Sequence, residues 1–142
     1  MATYGRESAE RWSGRAAPSL DDLHSLAEAA FARLPETFRK AVAGVTIHVD
    51  DFPSDEVLQE MGLESPFDLL GLYQGVDLTR ASLSDPSPEP DRIFLYRRPI
   101  LDFWCEEGET LEHVVTHVLV HEIGHHFGLS DEDMEAIEAG LK

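Results

Sequence analysis

The stretch TLEHVVTHVLVHEIGHHFGLSD, residues 110–131, predicts the helix around which the domain is built. Thr110 is a suitable cap for a helix that runs to about Phe127. Histidines spaced four residues apart form a polar stripe along one face: His113, His117, His121 and His125. Apolar residues cover most of the remaining circumference, which predicts a buried helix; they are Leu111, Val114, Val115, Val118, Leu119 and Ile123.

The spacing of two of these histidines is typical of a zinc site. His121 and His125 lie one helical turn apart, so both imidazoles can converge on one ion. Glu122 is rotated by roughly 100° around the helix, where it can flank the metal and act as general base toward a bound water. Gly128 stands where the chain must reverse, and Asp131 can then return to the metal as an oxygen ligand. The predicted ligands are therefore His121, His125 and Asp131.

Each of these assignments has a structural alternative. The histidines could belong to an ordinary buried helix, and Asp131 could simply favour the N-terminus of the next helix. If Asp131 is not a ligand, His126, Asp133 or Glu135 would be the next candidates. We interpret His126 as a group at the rim of the cleft or behind the ligands.

The other two histidines of the stripe rise and rotate away from the ion. His113 and His117 are therefore predicted to be polar partners within the fold, with a second metal site as the alternative.

Composition and patterning indicate one α+β domain preceded by a tail. Residues 1–18 are polar and rich in Gly and Ala, which favours disorder, and residues 19–142 form the domain. A helix is predicted from Ser19 to Leu34, and a short one follows Pro35. Alternation in GVTIHVDDF and β-forming residues in DRIFLYRR predict strands. Between these strands, a short helix is predicted to begin after Ser54 and to end at Gly62. The segment SPFDLLGLYQGVDL has no clear pattern, and the prolines of SDPSPEP at 84–90 predict a loop.

The end of the chain is also assigned from its residues. A brief helix is predicted from Pro99 to Trp104, with Cys105 beside it as a buried small hydrophobe. A last helix over about 131–140, capped by Ser130, would bury Met134.

The overall charge excludes some partners. The net charge is −17 with only 11 basic residues, which argues against nucleic acid and against an anionic membrane surface. The sequence has one cysteine, which excludes an intramolecular disulfide. It has no long apolar run near its N-terminus, so neither a signal peptide nor a membrane span is expected. We therefore expect a cytoplasmic protein.

Two segments resemble a known family. VHEIGHHFGLSDEDM at 120–134 follows the extended metzincin pattern in its aspartate variant. Together with LYRRPI at 95–100, it resembles the small bacterial zincin-like proteins, which are minimal zinc metallopeptidases, over about residues 40–140. The resemblance implies a zincin-like fold in which a small twisted mixed sheet packs on the active-site helix. It also implies Zn²⁺, three ligands (His121, His125 and Asp131) and Glu122 as the base.

The sequence departs from full-length metzincins in its length beyond the third ligand. Full-length metzincins continue to a methionine turn beneath the metal, whereas Met134 is the only methionine here after Asp131. In a gluzincin-like arrangement, Glu135 or Glu138 would be the candidate ligand.

Three functions are compatible with these residues. The first is a zinc-dependent peptidase acting on a peptide or protein, with the strand at 92–97 offering its edge to the substrate. Tyr73, Tyr96 and Arg97 could stabilise an oxyanion, although packing is the alternative for the aromatic residues. The second is a non-catalytic zinc-binding or protein-interaction module, and the third a metal-free interaction domain. Iron, cobalt or nickel could occupy the same ligands, but an open tetrahedral site favours zinc.

Overall fold

A computed structural model describes residues 2–75 and 91–141, with side chains from residue 7 onward. The described residues form a mixed α+β fold with seven α-helices, one 3₁₀ helix and three strands. In chain order these are α1 (Ala2–Ser13), α2 (Leu20–Arg33), α3 (Glu36–Ala41), β1 (Thr46–Asp50), α4 (Asp55–Met61), the 3₁₀ helix (Pro66–Asp68), β2 (Gly71–Gln74), β3 (Arg92–Tyr96), α5 (Arg97–Glu107), α6 (Leu111–His126) and α7 (Asp131–Gly140).

The three strands form a mixed sheet in the order β1-β3-β2. β1 runs parallel to β3, with Thr46 opposite Arg92, and β2 runs antiparallel to it, with Gly71 opposite Leu95. The strand predicted at 92–97 is therefore central, and the expectation that it offers a free edge is wrong. Ile93 and Leu95 are fully buried, which is where a run of apolar β-formers is most stable.

Helix α6 lies at the centre of the core. It packs against α2, α5 and α7 and against strands β2 and β3. Because it is covered by neighbours on several sides, apolar residues around most of its circumference are buried, as predicted. These buried residues are Val114, Val115, Val118, Leu119, Val120 and Ile123, which pack with Leu23, Ala27 and Ala30 of α2 and with Ile93 and Leu95 of β3.

The predicted helix boundaries are confirmed where capping residues define them. Thr110 accepts a hydrogen bond from the backbone N–H of His113, and Ser54 caps α4 in the same way. Ser130 and Asp133 form a reciprocal capping box at the start of α7. Gly128 has φ 69°, the left-handed conformation that glycine adopts at little cost. The turn from α6 to α7 is thus encoded locally.

Several segments differ from the prediction. Residues 2–13 form a helix rather than a disordered segment, although Trp12 remains 54% exposed. The segment contains Ala, Glu and Arg, which are good helix formers. Helix α5 begins at Arg97, two residues before the predicted start, and runs to Glu107. Cys105 is exposed, contrary to expectation, as are the residues that follow it at the end of α5. The predicted loop at 84–90 lies outside the described residues, and the boundary at residue 18 stays a prediction.

Candidate metal centre

The turn between α6 and α7 brings the predicted ligands together. The Leu129 N–H donates to the carbonyl oxygen of Gly124 (2.9 Å), which closes the chain back onto the end of α6. Helix α7 then packs so closely that a methyl group at Gly124 would lie 2.7 Å from Cγ of Met134. Because Met134 is fully buried, this contact fixes how α7 approaches α6. Asp131, the first residue of α7, therefore faces the end of α6.

One donor atom from each of His121, His125 and Asp131 lies within 4.8 Å of the others. The two imidazole rings are 5.8 Å apart between centroids and nearly perpendicular. His121 is partly buried, whereas His125 and Asp131 are exposed. Two imidazoles and one carboxylate are a ligand set that zinc accepts, and an exposed side leaves room for water or substrate.

The environment of His121 suits a metal ligand. Its Nε2 atom is buried and has no hydrogen-bond partner among the described residues. Burial lowers the pKa of His121, and the neighbouring His117 lowers it further, while Glu138 acts in the opposite direction. A neutral imidazole with a free lone pair is the form that binds metal. The residues present are thus suited to hold zinc.

Glu122 lies beside this group in a partly buried position against the sheet. Burial raises the pKa of its carboxyl group to about 7, although a hydrogen bond from the backbone N–H of Tyr73 acts against this. Strand β2 can approach α6 this closely only because residue 71 is glycine, since a Cβ atom there would lie 2.8 Å from Val118 Cγ1 and 3.2 Å from Glu122 Cγ. Strand β2 therefore covers α6 and helps to bury the carboxyl group.

The family model for zincin-like metallopeptidases matches residues 42–141, which is most of the chain. The chain belongs to the zincin-like metallopeptidase family. The comparison with curated proteins gives no match. Among the described residues of this zincin-like protein, no helix is both long and apolar enough to cross a membrane.

Several candidate residues of the zincin-like domain have other partners. Asp133 caps α7, and Glu135 is exposed and belongs to neither group of donor atoms found in the described residues. His126 stacks on Tyr73 with ring centroids 4.0 Å apart, which places it beside β2 rather than with His121 and His125. Its interpretation as a group at the rim of the cleft is consistent with this position.

The residues considered for oxyanion stabilisation are also engaged. The Tyr73 hydroxyl donates to the Asp91 carboxylate (2.6 Å), and Arg97 contacts both the Asp51 carboxylate and the backbone oxygen of Pro18. Tyr96 is buried, and burial raises the pKa of its hydroxyl to about 12. The charges of Asp50 and Glu122 act in the same direction, so Tyr96 lies in the electrostatic field of Glu122.

Glu138 approaches the histidine stripe, which the sequence indicated only as one gluzincin-like possibility. Its Oε1 atom lies 2.8 Å from His117 Nδ1 and 3.7 Å from His121 Nε2. This contact is compatible with both predictions for His117, a polar partner within the fold and a ligand of a second metal site. A signal for Glu138 was available, because residues seven apart share one face of a helix and Asp131 lies seven positions earlier.

Proposed function

We propose that this zincin-like protein is a zinc-dependent peptidase in which His121, His125 and Asp131 hold the metal and Glu122 is the general base. The observation that carries the proposal is the convergence of these three donor groups, one of which, His121, has a buried ring nitrogen without a hydrogen-bond partner among the described residues. Buried polar atoms in folded proteins normally have partners, and a metal would supply one here. The match to the family supports the same conclusion.

The chemistry of the residues agrees with peptide hydrolysis. Zinc, when bound, supplies Lewis acidity that polarises a carbonyl group and makes water a nucleophile at neutral pH. Glu122 has a pKa of about 7, and a base titrating near the working pH is the most effective. The N–H of Tyr73 orients its carboxylate. Glu122 would take a proton from the attacking water and then pass it to the leaving amine.

An extended peptide could bind along β2 rather than along β3. In the described part of the sheet, β2 pairs with β3 on one side only, and it packs on α6 beside Glu122. A peptide that added a strand to this edge would bring its backbone close to the donor groups. The net charge of −17 would favour basic peptides by long-range attraction. A peptide substrate, a cytoplasmic location and the absence of nucleic-acid and membrane partners all stay predictions.

The test is cleavage of a diverse peptide mixture, read by mass spectrometry. The zinc-loaded wild type is compared with Glu122→Gln, which keeps the size of the side chain but not its basicity. Glu106→Gln, an exposed position on α5, is the matched control. We expect new peptide termini from wild type and control, and at least about a 100-fold loss of rate in Glu122→Gln at equal zinc content.

Two outcomes would contradict the proposal. Equal zinc in all three proteins with no cleavage between about pH 6 and 9 would favour a non-catalytic zinc-binding module. Absence of zinc uptake by protein prepared without a histidine tag would favour a metal-free interaction domain.

A further inference from the structure

A second group of donor atoms lies one turn earlier along α6. His117, His121 and Glu138 each offer one atom within 4.8 Å of the others. The Glu138 side chain is only 15% exposed, and its Oε1 atom faces both imidazoles, at 2.8 Å from His117 Nδ1 and 3.7 Å from His121 Nε2. This group shares His121 with the first one, but it lies farther from the end of the helix.

Neither neighbour satisfies the buried carboxylate oxygen. Despite the short contact to His117, Glu138 Oε1 has no hydrogen bond among the described residues, and His121 Nε2 has none either. A simple ion pair between His117 and Glu138 would account for two of the three groups and would leave His121 Nε2 unpaired. A bound cation would satisfy all three, because it accepts lone pairs from two imidazoles and one carboxylate at once.

The distances are compatible with a zinc ion. Zinc lies 2.0–2.2 Å from nitrogen and oxygen ligands, so tetrahedral ligand atoms are roughly 3.3–3.6 Å apart. The two observed separations, 2.8 and 3.7 Å, lie on either side of that range. The third separation, between His117 and His121, is within 4.8 Å. Side-chain adjustments of about 1 Å would close the group around an ion.

An open cavity gives access to this position. A cavity of about 290 Å³ has His117 and Glu138 in its wall, together with Glu112 and His113. Arg33 also lines this cavity and pairs with Glu112 (3.1 Å), so the metal-binding atoms in its wall are those of the histidines and Glu138. The volume accommodates water as a fourth ligand.

We propose that His117, His121 and Glu138 form a second zinc-binding position, here called the inner position, which competes with the His121, His125 and Asp131 group for the same imidazole. One neutral imidazole has one lone pair, so the two positions are mutually exclusive and the protein binds one ion per chain. An ion in the inner position is one turn of α6 away from His125. The inner position therefore holds zinc without assembling the proposed catalytic site. This inference needs zinc binding but not peptide hydrolysis.

The experiment follows the imidazole nitrogens directly. Metal-free protein labelled with ¹⁵N in its histidines is titrated with Zn²⁺, and the ring-nitrogen chemical shifts are recorded by NMR. We expect zinc to change the shifts of both His117 and His125, with total uptake of one ion per chain. In Glu138→Gln the His117 change should disappear while that of His125 persists. In Asp131→Asn the pattern should be reversed, and Glu106→Gln should match the wild type.

Affinity gives an independent readout. When two positions of comparable strength compete for one ion, loss of either leaves the other, so each single variant should lower the zinc affinity less than tenfold. The double variant should lower it more than about 100-fold, since each remaining pair of imidazoles lacks its carboxylate. A full loss in Asp131→Asn with no effect of Glu138→Gln would overturn the inner position.

The wild-type spectrum decides the matter without relying on any variant. If zinc moves the His125 signals and leaves His117 unchanged, the inner position is absent while the proposed peptidase site stands. If both His117 and His125 respond but the zinc-loaded protein cleaves no peptide, the proposed function fails and the inner position stands.

Discussion

The contact between Gly124 and Met134 allows a sharp test of how α7 is positioned. In Gly124→Ala, the new methyl group would lie 2.7 Å from Met134 Cγ and closer still to the sulfur. Replacing glycine with alanine inside a helix normally stabilises by about 1 kcal/mol, whereas overpacking a core costs about 1 to 3 kcal/mol. Because Met134 is fully buried and cannot swing into solvent, we expect the second effect to be larger. The net result should be a destabilisation of about 1 to 2 kcal/mol.

The same substitution should change sign when its neighbour is removed. Met134→Ala deletes both atoms that the methyl group would meet and costs about 2 to 5 kcal/mol alone. In that background Gly124→Ala should stabilise by about 1 kcal/mol, because only the helix preference remains and the methyl group partly fills the cavity. The assay is urea denaturation of the metal-free proteins, read as a double-mutant cycle. An equal effect of Gly124→Ala in both backgrounds would refute the packing argument.

Three further predictions concern single side chains. The pKa of Glu122 is about 7 in the fold and near 4.5 in an unfolded chain, so the stability that its protonated form contributes is present below pH 4.5 and is lost as the pH rises through 7. Metal-free Glu122→Gln should thus match wild type at pH 4 and exceed it by about 1 to 3 kcal/mol at pH 8.5, and a constant difference in urea denaturation would contradict this. Ser130→Ala should cost about 1 kcal/mol, since the capping box with Asp133 is lost, and an unchanged denaturation midpoint would show that the cap is unimportant. Tyr73→Phe should cost about 1 to 2 kcal/mol by thermal unfolding because the hydrogen bond from its hydroxyl to the Asp91 carboxylate is lost, a result that a wild-type melting temperature would exclude.

The parts of the fold that follow from local chemistry were predictable. The start of α6 depends on a hydrogen bond from the backbone N–H of His113 to the side chain of Thr110, only three residues earlier. The reversal at Gly128 depends on the left-handed conformation of that one residue. The grouping of His121 and His125 follows from helical spacing alone. Asp131 lies near these two histidines because a short turn follows α6 and a capped helix begins directly after that turn.

Features that depend on distant contacts were not predictable in this way. Strand β2 has four residues, GLYQ, with no alternation, and its conformation is set by pairing with β3 and by the space that Gly71 leaves over α6. The central place of β3 results from pairing with two partners, which no pattern within the strand encodes. The approach of Glu138 to His117 depends on the direction of α7, which the Gly124 contact determines.

The parallel pairing of β1 with β3 has a consequence for how the chain folds. The paired residues Thr46 and Arg92 are 46 positions apart, so joining them closes a loop whose entropic cost is roughly 2 kcal/mol larger than that of a contact between residues four apart. The contacts between α6 and α7 span a short turn and carry almost none of that cost. Folding of this domain should therefore be limited by the assembly of its sheet, and the helices that bear the histidines and carboxylates should associate before β3 finds its place between its neighbours.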